Sequence, residues 1–481
     1  MYALACESLR FSSVLDRLLK TQAVLLPLLS DPGSHAMLLV LAHDSLVSEK
    51  PIPSSVEVAS KLSSCLPQLR SKLDEFVGST SSAGSVHPNA TQAEKVRSLL
   101  PSWSLQQEAV QANQPRYVRA NHIRTSFDDL IAEFKSEGWR FTEPVTVPSD
   151  GCFHKDPLIK DLLVFPPGTD FHAHAIIKDG RAVLQDKASC MPAFALLGDG
   201  WVPDNSASEF IDCCAAPGNK TSQLASLLCH AGRKLPITAF ERDPKRAELL
   251  QKRLLQSGAS RGSTDSGSVM VKQCDFLTTD PVHDTRWRNV RAVLVDPSCS
   301  GSGLGHRVDH AKHDEHDGHE SGDGCDKMDR VHALASFQKR ILRHALKFPR
   351  IERVVYSTCS IHKEENEEVV AAVLPFAKKR GMSLVECLPA WKGRGEACDA
   401  LSASLAQRCV RCGGEASPGD STHGFFVALF QKDEIVSNHK PSTKSKAKVV
   451  SAATVQKHDV QKRKSLAPWK LAAPKKKRSR K

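Results

Sequence analysis

The sequence predicts an α/β protein whose main body is a doubly wound, mostly parallel sheet, preceded by a small α+β unit and a helical N-terminal region. Three observations carry this. From about Met191 onward, short β-branched runs alternate with amphipathic helical stretches, the pattern of a parallel sheet whose crossovers are helices. Before that, Arg116–Asn121 alternates like a strand and is followed by a capped helix. Before that again, leucines recur at helical spacing with no alternation of period two. The chain has 481 residues, 40% of them hydrophobic, enough for several cores.

In chain order, residues 1–75 carry Leu15, Leu18 and Leu19, then Leu62, Leu66, Leu69 and Leu73, and read as a helical packing or docking module. Residues 76–114 form a linker and connecting helix, with Gly78–Ala90 rich in Ser, Gly and Thr. Residues 115–185 form the small α+β unit. Ser126 caps a helix bearing Phe127, Leu130, Ile131 and Phe134, with Asp129 three residues after the cap and Gly138 at its end. Arg116, Tyr117, Arg119 and Asn121 combine positive charge, a stacking ring and an amide, a set suited to RNA; the same residues also suit a half-exposed strand with no ligand. Ala182–Asp186 reads as a strand entering the next domain.

Residues 186–435 form the sheet domain, of Rossmann-like kind. Its strands are expected at Phe210–Cys213, Ile237–Phe240, Val269–Gln273, Ala292–Val295 and Arg353–Tyr356, with a late antiparallel pair near Gly424–Phe430. Helices fit Thr221–Cys229, Pro244–Gln256, Ala333–Lys347 and Glu364–Phe376. Two inserts interrupt it: Gly258–Ser268, and a solvated, variable stretch rich in His and Asp at His306–Arg330. Residues 436–481 are a low-complexity basic tail with 12 Lys, three Arg and one Asp. That net +14 exceeds the +12 of the whole chain, so the first 435 residues sum to about −2. The basicity is therefore local, fitting a nuclear or nucleolar address and a phosphate-binding arm.

The fifteen cysteines, and a start with no charged segment leading into an apolar stretch, point to free thiols in a reducing compartment. No apolar run near the start is long enough to span a bilayer. Cys409 and Cys412 have zinc-like spacing but lack a second pair, and the histidines of the insert are irregularly spaced, so no metal site is expected.

Ligands of a doubly wound sheet sit beyond the carboxyl ends of its strands. After the first strand comes Asp212-Cys213-Cys214-Ala215-Ala216-Pro217-Gly218-Asn219-Lys220-Thr221. Its small residues admit close approach, and the following helix start can hold an anionic group. It has neither GxGxxG nor GxxxxGK[ST], which argues against a dinucleotide or a Walker loop. Glu241 ends the second strand, where an acid takes ribose hydroxyls, and Asp275 follows the third, suited to an adenine amino group. Together these describe a pocket for a nucleoside with a carboxylate, which is what S-adenosylmethionine presents.

The fourth strand ends Asp296-Pro297-Ser298-Cys299 and the fifth ends Thr358-Cys359-Ser360, so two cysteines reach the same sheet edge. Carbon 5 of cytosine is a poor nucleophile until a thiolate adds to carbon 6, and cysteine is strongly nucleophilic and able to leave again. Asp296 near the ring nitrogen would favour that addition by sharing a proton. Methylation of an exocyclic amine would instead call for an Asp/Asn-Pro-Pro-aromatic loop.

Cys214–Thr221, Asp296–Gly301 and Thr358–Ser360 resemble the motifs of the Nop/Sun-type RNA cytosine-5 methyltransferases. Met1–Arg10, Pro115–Asn121 and Leu184–Cys190 are similar to the fifth-subfamily branch, which methylates large-subunit ribosomal RNA. The resemblance covers nearly all of residues 1–435 outside the inserts. It implies a methyltransferase sheet and an RRM-like docking unit, with S-adenosylmethionine as cofactor. It also implies Cys359 as the nucleophile and Cys299 as the aid to product release. The loop Cys214–Lys220, with Glu241, Arg246, Asp275 and Asp296, would hold cofactor or base. Glu241 stands where the family commonly has Asp. The implied partner is large-subunit rRNA or a pre-ribosomal particle, met by a monomer in the nucleolus, with no metal and no membrane. The same chemistry on transfer RNA, and a non-catalytic assembly factor, are the alternatives.

Overall fold

The computed structural model describes residues 8–9, 11–52, 56–79, 90–100, 112–197, 200–203, 207–260, 268–304, 323–413 and 422–433. The basic tail, most of the His-rich insert, the middle of the Gly/Ser insert and the Met1–Glu7 stretch lie outside the described residues.

Among the described residues, the longer helices of the N-terminal module are α1 (Ser12–Leu19), α2 (Pro32–Leu46), α3 (Glu57–Ser79) and α4 (Gln92–Ser98), with a short helical turn at Leu26–Leu29 before α2. Asp31 caps α2 by accepting from Ser34 N at 2.8 Å, with Pro32 at the first helical position. Thr91 and Glu94 form a reciprocal capping box on α4. Leu15, Leu18, Leu19, Leu62, Leu69 and Leu73 share one core, as their spacing predicts. The expected linker begins later than its composition suggests, because Gly78 and Ser79 still belong to α3.

The small unit is a five-stranded sheet in the order β2-β3-β4-β1-β5, from β1 (Arg116–Ala120), β2 (Arg140–Phe141), β3 (Cys152–Lys155), β4 (Leu162–Phe165) and β5 (Ala182–Leu184). Helix α5 (Phe127–Ser136) starts at Ser126, whose hydroxyl accepts from Asp129 N, and packs Phe134 against Phe153, Phe165 and Phe171. Two expectations are corrected here. β5 pairs antiparallel with β1, Val118 opposite Leu184, so it closes the small sheet rather than opening the next domain. The supposed RNA-facing set is largely internal: Arg119 is 0% exposed, Asn121 1% and Tyr117 7%, while half-buried Arg116 donates to Thr169 O. β1 lies between β4 and β5 and runs against the next domain, so its polar side chains face protein.

The main domain follows helix α6 (Lys187–Leu197) with β6 (Glu209–Asp212), α7 (Asn219–His230), β7 (Ile237–Glu241), α8 (Pro244–Gln256), β8 (Val269–Gln273) and β9 (Val290–Val295). Then come α9 (Asp323–Ala345), β10 (Arg353–Thr358), α10 (Glu367–Lys379), β11 (Met382–Val385), β12 (Val410–Cys412) and β13 (Phe425–Lys432). The strand order is β11-β13-β10-β9-β6-β7-β8, with β12 added on β13. β8, β7, β6, β9 and β10 are parallel, and β13 is antiparallel to β10. Parallel strands are covered on both faces, so β9 reads as an apolar run broken only by Arg291, and all six residues of β10 are buried although three are polar. Leu224 and Leu228 of α7 and Leu250 and Leu254 of α8 fill one face; Ile341 and Leu342 of α9 and Val369 and Val373 of α10 fill the other. The insert's end is not a loop, since α9 begins at Asp323 and absorbs 323–330. Winding starts at β6, runs outward to β8, then returns to β9 on the other side, which opens a crevice at the carboxyl ends of β6 and β9.

Candidate active site

At that crevice lies a cavity of about 660 Å³. Its lining gathers Cys214, Ala216, Pro217, Glu241, Arg246, Asp275, Asp296, Cys299 and Cys359, all singled out in the sequence. It also holds residues the sequence did not reveal: Phe240, Phe276, Phe337, Leu304, Arg242 and Arg330. Phe240 and Arg242 flank Glu241, and that adjacency was the available signal.

The loop after β6 turns through Gly218, whose φ of +105° suits glycine. A Cβ there would lie 2.9 Å from Leu250 Cδ1, so the loop is pressed onto α8. Gly218 is the N-cap of α7, whose first-turn amides have no acceptor within the helix. Asp212, at the end of β6, anchors the turn by accepting from Thr221 Oγ1 at 2.7 Å and Cys214 N at 3.3 Å. Burial, opposed by the Thr221 hydroxyl, pushes the Asp212 carboxyl up to about 7.

Glu241 is 6% exposed and accepts from Asp243 N at 2.9 Å. Arg246 Nη2 lies 3.4 Å from its carboxylate and donates to Ala216 O at 2.9 Å, tying the ends of β6 and β7 together. Asp275 caps the short turn Phe276–Thr278 by accepting from Leu277 N. Ala215, Gly218, Asn219 and Lys220 of the same loop do not line this cavity; Gly218 and Asn219, which opens α7, line a second one of about 280 Å³ beside Gly180 and Ser257.

Lys220 does not point along the loop. Its ammonium sits 2.9 Å from Asp296 Oδ2 and over the Phe425 ring. Burial pulls its pKa down, but the Asp296 carboxylate outweighs this and holds it above the usual value. Ser357 Oγ donates to Asp296 Oδ1 at 2.6 Å, so Asp296 is fixed from both sides. Sequence reading named Lys220 and Asp296 separately and missed their pairing.

Cys299 Sγ and Cys359 Sγ lie 3.2 Å apart. The hydrogen bond to the Cys359 sulfur, reinforced by burial, pushes the Cys299 thiol well up. Either sulfur can donate in this contact, so the two thiols share one hydrogen bond. A buried carboxylate sets this geometry. Glu365, 0% exposed, accepts from Ser300 N at 2.9 Å, Ser300 Oγ at 2.6 Å and Gln338 Nε2 at 2.9 Å, and Gln338 also donates to Ser298 O. Asn366 Nδ2 donates to Ser360 O at 2.9 Å, and Gly303 N donates to Cys359 O at 3.0 Å. Each cysteine loop is thus held by backbone-directed bonds from the segment after β10. The acidic run Glu364-Glu365-Asn366-Glu367 was the sequence signal for this, and it was read only as a helix start.

Cys409 and Cys412 are both buried among apolar neighbours. Among the described residues, no group of three or more His, Cys, Asp or Glu is placed to hold a metal ion, and no helix is long and apolar enough to cross a membrane.

Residues 114–185 match the ferredoxin-like domain of NOL1/NOP2/Sun domain family member 5, and residues 202–431 match the 16S rRNA methyltransferase RsmB/F family. The 28S rRNA (cytosine-C(5))-methyltransferase of Mus musculus is 35% identical over 459 residues, spanning 92% of this chain and 86% of that protein. The 25S rRNA (cytosine-C(5))-methyltransferase rcm1 of Schizosaccharomyces pombe is 35% identical, spanning 89% and 83%. The Arabidopsis thaliana 25S rRNA (cytosine-C(5))-methyltransferase NSUN5 is 40% identical over 330 residues, spanning 68% and 51%. The crystal structure of PH0851 superposes with a TM-score of 0.55 at 18% identity, covering 89% of this chain and 88% of that one, a likeness of fold. At 35% identity over 86% of the Mus musculus protein and 83% of the Schizosaccharomyces pombe one, with the two thiols and the carboxylate-lined crevice in place, the chain belongs to the family of rRNA cytosine-C5 methyltransferases typified by NOL1/NOP2/Sun domain family member 5.

Proposed function

We propose that this methyltransferase transfers a methyl group from S-adenosylmethionine to carbon 5 of a cytosine in large-subunit rRNA, free or within a pre-ribosomal particle, in the nucleolus, acting as a monomer. The single observation that carries the chemistry is the 3.2 Å approach of Cys299 and Cys359 beside Asp296 at one cavity.

The residues present fit S-adenosylmethionine. The Gly218 turn, which needs glycine because its φ is +105° and Leu250 packs against it, is the cradle this reading assigns to the amino-acid end of the cofactor, and the α7 N-terminus that follows suits a carboxylate. Glu241 can chelate ribose hydroxyls, Asp275 can accept from an adenine amine, and Phe240 and Phe276 supply an apolar wall. When bound, the cofactor supplies an electrophilic methyl group.

The chain's own residues then act as follows. The target cytosine is unstacked into the cavity. Cys359 sulfur bonds to carbon 6, and the C5–C6 π pair moves to carbon 5, making it nucleophilic. Addition calls for a proton at ring nitrogen 3; Asp296, held by Ser357 and ion-paired with Lys220, relays one from the Lys220 ammonium to that nitrogen, and the nitrogen returns it by the same path when the thiolate leaves. Once carbon 5 is methylated it loses its proton to a base, the C5–C6 double bond re-forms, and the thiolate leaves. Cys299, 3.2 Å from the departing sulfur, assists that release.

Bisulfite sequencing of large-subunit rRNA from cells with and without the protein, rescued by wild type or Cys359→Ala, tests substrate and nucleophile together. One cytosine should lose methylation and regain it only with wild type. Unchanged rRNA with a changed tRNA would replace the substrate and keep the chemistry. Cys299→Ala should accumulate a covalent RNA adduct on denaturing gels and Cys359→Ala none; normal release by Cys299→Ala would refute the division of roles.

A further inference from the structure

The small unit grips both helices that frame the Gly218 cradle, and it does so with the residues expected to face RNA. The Arg119 guanidinium, 0% exposed, reaches out of β1 into the main domain. Nε donates to Gln185 Oε1 at 2.8 Å, and Nη1 to Ala120 O at 3.3 Å. Nη2 donates to Ser222 Oγ at 3.1 Å and toward Asn219 O at 3.5 Å. Asn219 and Ser222 are in the first turn of α7, directly after Gly218 and on either side of Lys220. Gln185 extends the grip, donating to Gln223 Oε1 at 3.1 Å.

Two residues along, Asn121 Nδ2 donates to Ser257 O at 2.8 Å, at the end of α8, and to Gly180 O at 2.7 Å. A Cβ on Gly180 would lie 2.1 Å from Gln256 O, so the two backbones meet with no room between them. Leu250 of α8 in turn presses on Gly218. The small unit therefore braces α7 at its start and α8 at its end, with the cradle between them.

A fully buried guanidinium is costly: burial lowers the Arg119 pKa, with nearby Asp161 opposing that. For stability alone, an apolar side chain of similar volume would serve as well. What the guanidinium adds is a planar fork of donors that fixes several acceptors at once, which a lysine cannot match.

We propose that Arg119 is a positioning residue for methyl-donor binding, holding the first turn of α7, and hence the Gly218–Lys220 cradle, from outside the domain that contains it. This rests on the cradle being the S-adenosylmethionine site, and it makes the small unit part of that site in addition to any RNA contact.

The test is calorimetric titration of the full-length protein with S-adenosylmethionine, alongside RNA affinity and the KM and kcat of methyl transfer. Arg119→Met should weaken cofactor binding about tenfold, as loss of charge-assisted bonds implies, with RNA affinity and kcat within about twofold. Arg119→Lys should recover less than half of that loss, and Ser222→Ala should weaken binding about threefold. Arg124→Ala should leave binding unchanged, since Arg124 reaches only Leu255 O and Gln256 O at the far end of α8. Cofactor affinity within twofold of wild type in Arg119→Met would overturn the inference, as would weakened RNA binding with cofactor binding retained. Should Arg119→Met not fold, unchanged affinity in Ser222→Ala overturns it instead. A wild-type protein that binds no S-adenosylmethionine would sink the cradle's assignment itself, a result distinguishable from either of these.

Discussion

Glu365→Ala probes what holds the two cysteines together without touching either. Its carboxylate is 0% exposed and accepts three hydrogen bonds, from Ser300 N, Ser300 Oγ and Gln338 Nε2. Ser300 can re-aim its hydroxyl at Ser302 or Ser360, which lie 3.1 and 3.2 Å away, so one loss is recoverable. The Ser300 amide cannot turn, and Gln338 Nε2 retains only Ser298 O at 3.1 Å. One stranded donor, one half-satisfied donor and the cavity left by one methylene and a carboxylate together imply a loss of about 3 kcal/mol. For a domain of this size that lowers the melting point by roughly 6–12 °C. Glu365→Gln keeps an oxygen for the two N–H donors and an NH₂ that the Ser300 hydroxyl can accept, so it should cost about 1 kcal/mol or less. Scanning calorimetry of the full chain measures both, and methyl transfer should fall steeply in Ala and little in Gln, because only Ala frees the Cys299 loop. A Glu365→Ala protein that melts within about 2 °C of wild type with kcat intact would refute the claim that this carboxylate sets the thiol geometry.

Other expectations follow from the same contacts. Gly218→Ala places a Cβ at a φ of +105° and 2.9 Å from Leu250 Cδ1, and should raise the KM for S-adenosylmethionine at least about tenfold in a steady-state assay; an unchanged KM would remove Gly218 from the cradle. Because burial lifts Asp212 from 3.8 to about 7, the folded chain holds a proton that the unfolded chain has lost, so this group's contribution to stability falls as pH rises between those values. Asp212→Asn should therefore gain roughly 2–3 kcal/mol on wild type between pH 5 and pH 8, read by denaturant unfolding, and a pH-independent difference would contradict the assignment. Deleting residues 436–481 should abolish nucleolar accumulation and flatten the salt dependence of RNA binding, since each lost phosphate contact lowers the slope by about one; unchanged imaging and slope would reduce the tail to a solubilising segment.

The main sheet was legible because its signal is redundant. β7 and β8 start where the sequence puts them, α8 spans Pro244–Gln256 as expected, and the cysteines arrive at adjacent strand ends. Strands buried on both faces leave long apolar runs, and caps such as Asp243 on α8 mark helix starts unambiguously. Edges were less legible. β9 begins two residues earlier than expected, and α10 begins three later, at Glu367, because Lys363–Glu365 first makes a tighter turn that brings Glu365 onto the Cys299 loop. No propensity rule sees that demand, since it comes from a partner sixty residues away.

The lining of the site was legible wherever chemistry restricts residue type: carboxylates after strands, small residues in the turn, thiols at the edge. Orientation was not. Lys220 reads as a loop cation that could meet a cofactor carboxylate, yet it turns onto Asp296, because two further residues, Ser357 and Phe425, make that direction favourable only once β10 and β13 are side by side. Arg119 and Asn121 show the same limit in stronger form. A strand with positive charge and amides satisfies the composition of an RNA-binding face and of a buried interface equally well, because both demand hydrogen-bond donors with nowhere else to go. What separates them is the acceptor. RNA would offer phosphate and base oxygens; here the acceptors across the domain boundary are Ser222 Oγ and Asn219 O of α7 and Ser257 O just after α8, all in the same chain. Those atoms lie more than a hundred residues away in sequence, and only the docking of one domain on the other decides which reading the donors obey.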